Sequence, residues 1–153
     1  KFNMVDIAKQ LAKEFNLKSK KMTLHSDPID KYNILEKKSI YLSSKKRNVL
    51  TGENNEWNIF FSNEELIEIN EPLYCRTIFL HKVKKINHIK KIIPKNTQSL
   101  GLSVSKKRKK EIVKVLSDTV IDRFPDIGKM TLYQNPWDGY LPLNQMVRWI
   151  SVG

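Results

Sequence analysis

Apolar positions recur at two different periods along this chain, and the changes of period mark its elements. Met4, Ile7, Ala8, Leu11 and Phe15 stand three and four residues apart, the repeat of an amphipathic helix from about Met4 to Phe15, with Asn3 placed to cap it. Its opposite face carries Lys9, Lys13 and Glu14. Lys18 to Ser26 has no clear period and reads as a connection. Asp27-Pro28-Ile29-Asp30 then opens a second helix: Asp is a favoured cap, Pro suits the first helical position, and Asp30 sets negative charge against the helix dipole. The pattern predicts that this helix continues to about Lys46.

The polar cluster Thr51-Gly52-Glu53-Asn54-Asn55 is a turn, and the aromatic and β-branched run Trp57-Asn58-Ile59-Phe60-Phe61 after it is a strand. Ser62 to Pro72 is acidic, with Glu64, Glu65, Glu68 and Glu71. Arg76 to Val83 reads as a second strand, Lys85 to Ile93 as a short helix stopped by Pro94, and Gln98 to Val104 as a third strand. Ser105 caps a further helix whose inner face is Ile112, Val115 and Leu116. Val120 to Phe124 is the expected fourth strand and Met146 to Val152 the fifth. Strands alternating with helices predict an α/β fold, with a mainly parallel sheet covered by helices on both faces. There is no internal repeat, heptad run or low-complexity segment.

With 153 residues, 40% of them hydrophobic, the chain has material for one core, so residues 1–153 are expected to form one domain. The formal charge of +12 comes with real clusters: Lys18, Lys20 and Lys21; Lys45, Lys46 and Arg47; Lys82, Lys84 and Lys85; Lys106 to Lys110. Clustered cations release counterions from a nucleic-acid backbone, so a polyanion-binding module is a rival reading. Against it, only five of the 28 basic residues are arginine, whose planar fork recognises phosphate bidentately. A solvated basic surface accounts for the charge better than nucleic acid does. In the helix opened by Ser105, cations fill the first turn, where each opposes the dipole at a cost of a few tenths of a kcal/mol. No run of apolar residues is long enough to span a bilayer and no secretory signal opens the sequence, so no membrane partner is expected. A single cysteine, Cys75, fits a reducing compartment, and the expected location is cytoplasmic.

Candidate chemistry is sparse. Five glycines form neither a Gly-x-Gly-x-x-Gly turn nor a phosphate loop, so a dinucleotide-binding domain is absent from this chain. Cys75 and His81 sit six positions apart on one extended run, about 20 Å at strand rise, too far to form a thiolate pair, and Cys75 reads as a small hydrophobe. His25, His81 and His88 with one cysteine do not match metal-ligand spacing, so no metal site is expected. Glu64, Glu65 and Glu68 need no explanation beyond solvation.

The closing residues are more specific. Val120-Ile121-Asp122-Arg123, Ile127-Gly128-Lys129-Met130, Trp137-Asp138-Gly139 and Val147-Arg148-Trp149-Ile150-Ser151 occur in that order. This series resembles the carboxyl-terminal end of the acyl-CoA reductases, the family of the fatty-acyl reductase of bacterial bioluminescence within the aldehyde dehydrogenase superfamily. The resemblance extends back to about Trp57. It implies a partial aldehyde dehydrogenase-like catalytic domain of an enzyme that reduces a fatty acyl thioester to an aldehyde with NADPH, through a cysteine acyl-enzyme. The acylated cysteine would lie upstream of everything in this chain, which is therefore expected to be part of a larger protein with no catalytic residue of its own. Its implied partners are a fatty acyl-CoA or acyl-carrier partner and the remainder of the reductase chain, with a homo-oligomer left open.

The resemblance also implies site residues. Glu71 corresponds to a glutamate that accepts hydrogen bonds from the nicotinamide ribose, although the surrounding pattern is degenerate and a plain loop carboxylate before Pro72 is the alternative. Trp137, Asp138 and Gly139 correspond to a loop near the substrate passage, with structural support for that loop as the main reading. Arg76 and Thr77 match the acyl-CoA reductase form of their loop, and Arg76 is expected to anchor its strand to a neighbouring carboxylate. Arg148 and Trp149 are expected to be structural. A non-catalytic interaction domain that keeps the fold as a scaffold is a further rival.

Overall fold

The computed structural model describes residues 3–22, 27–65, 73, 76–133, 136, 141–148 and 150–152. The chain divides into two compact units, Lys1–Lys84 and Lys85–Gly153.

The first unit holds helices α1 (Met4–Ser19) and α2 (Pro28–Leu42) and strands β1 (Arg47–Thr51), β2 (Asn58–Glu65) and β3 (Thr77–Lys82). The strand order is β1-β2-β3. The sheet is mixed rather than mainly parallel: β1 runs antiparallel to β2, with Val49 opposite Phe60, while β2 and β3 are parallel, with Phe60 opposite Phe79. β2 lies in the middle and its first five residues, Asn58 to Ser62, are all buried. Burial on both faces is why this strand reads as an unbroken apolar run instead of an alternating one.

On one face, Ile59 and Phe61 pack with Trp57 against Ala8 of α1, which is fully buried. Phe15 stacks on Trp57 at 5.9 Å, and the Trp57 indole N–H donates to Asn16 Oδ1 at 3.0 Å. That polar contact accompanies the run of α1 beyond the expected end at Phe15. On the other face, Phe60 stacks on Phe79 at 4.8 Å and meets the edge of Tyr41 from α2 at 5.2 Å. Asn3 caps α1 by accepting from the Val5 N–H and Asp27 caps α2, both as the sequence predicts, and Asp30 adds a reciprocal bond that completes a capping box.

A turn over residues 43–46 replaces the expected last turn of α2, and β1 follows it. The helix ends at Leu42, where the Ser43 hydroxyl donates back to the Ile40 carbonyl, and the chain is extended again from Arg47. Between β1 and β2 the predicted turn contains a short 3-10 segment, Glu53–Asn55, with Asn54 and Asn55 at φ 50° and 61°. Asparagine adopts this left-handed backbone more readily than most residues. Gly52 lies directly beneath the Trp57 indole, where an added Cβ would come within 2.4 Å of Nε1.

The second unit contains α3 (Ile86–Lys90), α4 (Lys106–Leu116) and α5 (Pro142–Met146). Its core is Leu102, Ile112, Leu116 and Ile121, with Ile86, Ile93, Leu100, Val115 and Phe124 around it. The expected third and fourth strands are present only as paired extended segments, joined by parallel bridges at Ser99–Arg123 and Leu102–Asp126. Leu100 N–H donates to the Arg123 carbonyl at 2.9 Å and Leu102 N–H to the Pro125 carbonyl at 2.8 Å. Pro125 brings a carbonyl to this pairing and no donor, which limits the ladder on its side.

The expected fifth strand is corrected. Met146 ends α5, while Val147, Arg148 and Ile150 to Val152 are exposed and outside any strand, with no ladder partner among the described residues to satisfy their backbone groups. No helix among the described residues is long and apolar enough to cross a membrane.

Candidate functional site

Of the residues singled out in the sequence, Glu71, Trp137, Asp138, Gly139, Trp149 and Cys75 lie outside the described residues. Arg148 is exposed. Thr77 opens β3 opposite Asn58. The structure therefore speaks to the supports of the expected site, and two arginines dominate them.

Arg76 stands immediately before β3 with φ 48°, a left-handed backbone that is uncommon for a residue with a long side chain. Its guanidinium reaches back to the end of α1, donating to Ser19 Oγ at 3.3 Å and to the Met22 carbonyl at 2.6 Å. Its own carbonyl accepts from Asn58 N–H at 3.3 Å, the first bond of the β2–β3 pairing. Among the described residues the partners of its guanidinium are the last residue of a helix and the turn after it, where a cation also complements the dipole.

Arg123 was quoted in the sequence motif but given no role, and it organises the second unit. It is buried, with 8% exposure, and one terminal nitrogen donates to the carbonyls of Met130 at 3.2 Å and Leu132 at 3.3 Å. This grip folds the Ile127-Gly128-Lys129-Met130 segment back over the bridged pair. Gly128 makes the bend at φ 85°, and Gly101 receives the Met130 side chain, whose sulfur would lie 2.8 Å from an added Cβ. Two of the four recurring motifs thus have a mechanical link: an arginine on one segment holds the carbonyls of the other. An arginine set between the apolar Ile121 and Phe124 in an expected strand was the available signal, since a buried guanidinium must find acceptors.

At the carboxyl end of β2, Arg47 Nε donates to Glu64 Oε2 at 3.1 Å and the Arg47 guanidinium lies over the Tyr41 ring at 5.3 Å. Glu65 pairs with Lys84 at 3.1 Å, so these carboxylates are structural partners rather than bare solvated charges. The Tyr41 hydroxyl is buried without a hydrogen-bond partner. Burial pushes its phenol above the usual value, Arg47 pulls the other way and Glu64 adds to the rise. The Ser62 hydroxyl donates to the Lys46 carbonyl and accepts from the Glu64 N–H, an arrangement that ties it to the backbone.

No group of three or more His, Cys, Asp and Glu side chains suited to a metal occurs among the described residues. In the second unit, a hydrogen bond from Lys90 holds the Asp118 carboxyl below its ordinary range, and one from Lys109 does the same for Asp126. The starts of α1, α2 and α4 are capped by Asn3, Asp27 and Ser105, so these three lack the glycine turn that would cradle a dinucleotide pyrophosphate.

A family model described as acyl-CoA reductase (LuxC) matches residues 2–149. The chain belongs to the acyl-CoA reductase (LuxC) family. No curated protein sequence matches it. Within this acyl-CoA reductase (LuxC) chain, Arg76 and Arg123 each hold backbone through their guanidinium groups. The activity associated with this family is the reduction of acyl-CoA.

Proposed function

We propose that these residues form the later part of the catalytic domain of a reductase that converts a fatty acyl thioester to an aldehyde with NADPH. In this reading the acyl group is carried on a cysteine thiolate outside the chain, and an aldehyde dehydrogenase-like architecture surrounds both. The observation that carries the proposal is the family match over residues 2–149, nearly the whole sequence. The Arg123 grip adds support, because it ties together two of the motifs on which the resemblance rests.

The described residues do not fit a dinucleotide: capped helix starts without a glycine turn offer no pyrophosphate cradle, and no step is assigned to NADPH on them. Its binding and the acylated cysteine are ascribed to the remainder of the reductase chain, with Glu71 as the proposed contribution of this segment to the ribose. Trp137-Asp138-Gly139 is the proposed support of the acyl passage, Arg148 and Trp149 its structural neighbours. The acyl donor is a fatty acyl-CoA or an acyl-carrier partner, and the setting is cytoplasmic.

Acyl-CoA-dependent oxidation of NADPH tests the division of labour. The 153-residue chain alone is expected to show no turnover above background. In the full reductase, Cys75→Ser is expected to retain activity, whereas Glu71→Ala is expected to raise KM for NADPH several-fold. Turnover by the isolated chain that vanishes in Cys75→Ser would place the thiolate here and end the proposal.

A further inference from the structure

The outer face of α4 is a strongly charged surface. Its inner face, Ile112, Val115 and Leu116, belongs to the core of the second unit. Opposite, Lys106, Lys110 and Lys114 repeat at four-residue spacing, with Lys109 and Val113 beside them, and these five side chains wall a shallow groove of about 500 Å³. The row runs over eight residue steps of helix, about 12 Å at helical rise.

Little inside the molecule neutralises it. Glu111 is taken by Arg108 at 2.8 Å and Asp126 by Lys109 at 2.9 Å, which leaves Lys106, Lys107, Lys110 and Lys114 without an ion-pair partner among the described residues. The arrangement works against the helix, because cations in the first turn oppose the dipole and like charges four apart repel. α4 forms regardless, held by the Ser105 cap and by its buried apolar face. A local rule broken on an exposed face, where core packing does not demand it, is characteristic of a surface that meets a partner.

We infer that this face of α4 docks an acidic amphipathic helix of a partner protein. Carboxylates at four-residue spacing meet Lys106, Lys110 and Lys114, and a small apolar side chain sits on Val113 between the lysine stems. Charge complementarity selects the acidic partner. A helical one is favoured because the cations themselves follow a helical repeat. Nucleic acid fits less well: among the described residues the groove is lined by neither arginine nor an aromatic ring for base stacking. An anionic bilayer fits less well too, since the apolar face that would enter it is already buried. The inference does not depend on the reductase reading.

The test is a fluorescence-anisotropy titration of the full chain with a synthetic helical peptide carrying glutamate every fourth residue and one alanine stripe, at low and at near-physiological salt. Two variants of equal net charge are compared: K106E/K110E/K114E on the groove and K31E/K45E/K46E elsewhere on exposed positions. Glutamate at Lys106 suits a helix start, so the groove variant is expected to fold; K106Q/K110Q/K114Q serves as a second check. The expected result is a loss of peptide affinity of about tenfold or more in both groove variants and less than about threefold in the control. Equal losses in groove and control variants, or absence of peptide binding, overturn the docking face. Tighter groove-dependent binding of polyuridylate or of phosphatidylglycerol vesicles than of the peptide overturns the partner class.

Discussion

At the scale of single residues, Arg123 and Tyr41 are opposite cases of buried polar chemistry. Arg123 is buried and one of its terminal nitrogens donates to two backbone carbonyls, so removing it takes that donor from both. Arg123→Met is expected to destabilise the second unit by about 2–3 kcal/mol, the range for a hydrogen bond involving a charged group. Urea unfolding followed by circular dichroism measures it, and a loss below about 0.5 kcal/mol would show that the grip contributes nothing. Tyr41 instead hides a hydroxyl with no partner. Tyr41→Phe removes a desolvated group at little packing cost and is expected to be neutral or stabilising by about 1 kcal/mol.

The same phenol gives a signed pH prediction. Its folded-state value lies above the usual 10.0 because burial penalises the phenolate. The neutral form therefore supports folding fully below pH 10, and that support is lost as pH rises through the folded-state value. Thermal unfolding of the wild-type chain is expected to fall more steeply above pH 10 than that of Tyr41→Phe. Identical slopes would mean that Tyr41 is not the group responsible.

At the scale of elements, much was readable because the responsible residues are local. Asn3, Asp27-Pro28 and Ser105 announce their helices through capping chemistry that needs no tertiary knowledge, and the turn at Thr51 to Asn55 announces itself by its Asn and Gly. β1 escaped because Lys45, Lys46 and Arg47 extend the polar face of α2 in sequence, whereas its strand character depends on pairing with β2. Met146 to Val152 failed in the other direction: an apolar run of strand composition has no ladder to join among the described residues. The candidate site was less legible than the fold. The contacts of Arg76 with Ser19 and Met22 and of Arg123 with Met130 and Leu132 were not legible, since neither follows from spacing along the chain. Gly52 offers a direct check on the β1–β2 turn. In Gly52→Ala the new methyl meets the Trp57 ring, and a destabilisation of about 1–3 kcal/mol with altered Trp57 fluorescence is expected.

At the scale of the whole molecule, the division into Lys1–Lys84 and Lys85–Gly153 gives each unit its own core. Chains with more than one compact unit need not unfold in one step. Gly52→Ala is therefore expected to shift the first unit's transition and leave the second unit's amide-exchange protection unchanged. Protection lost equally in both units would show one cooperative body. The family match covers both units, so the proposed reductase role belongs to the pair and not to either alone.

Position 76 carries a constraint that matters for how such a chain diverges. Its left-handed backbone favours glycine, while its grip on the end of α1 requires a long planar cation. Glycine relaxes the first demand and forfeits the second; lysine keeps charge but neither the fork nor any ease with the backbone. No single exchange meets both, so genetic drift at this site is fenced in unless the neighbouring helix end changes first.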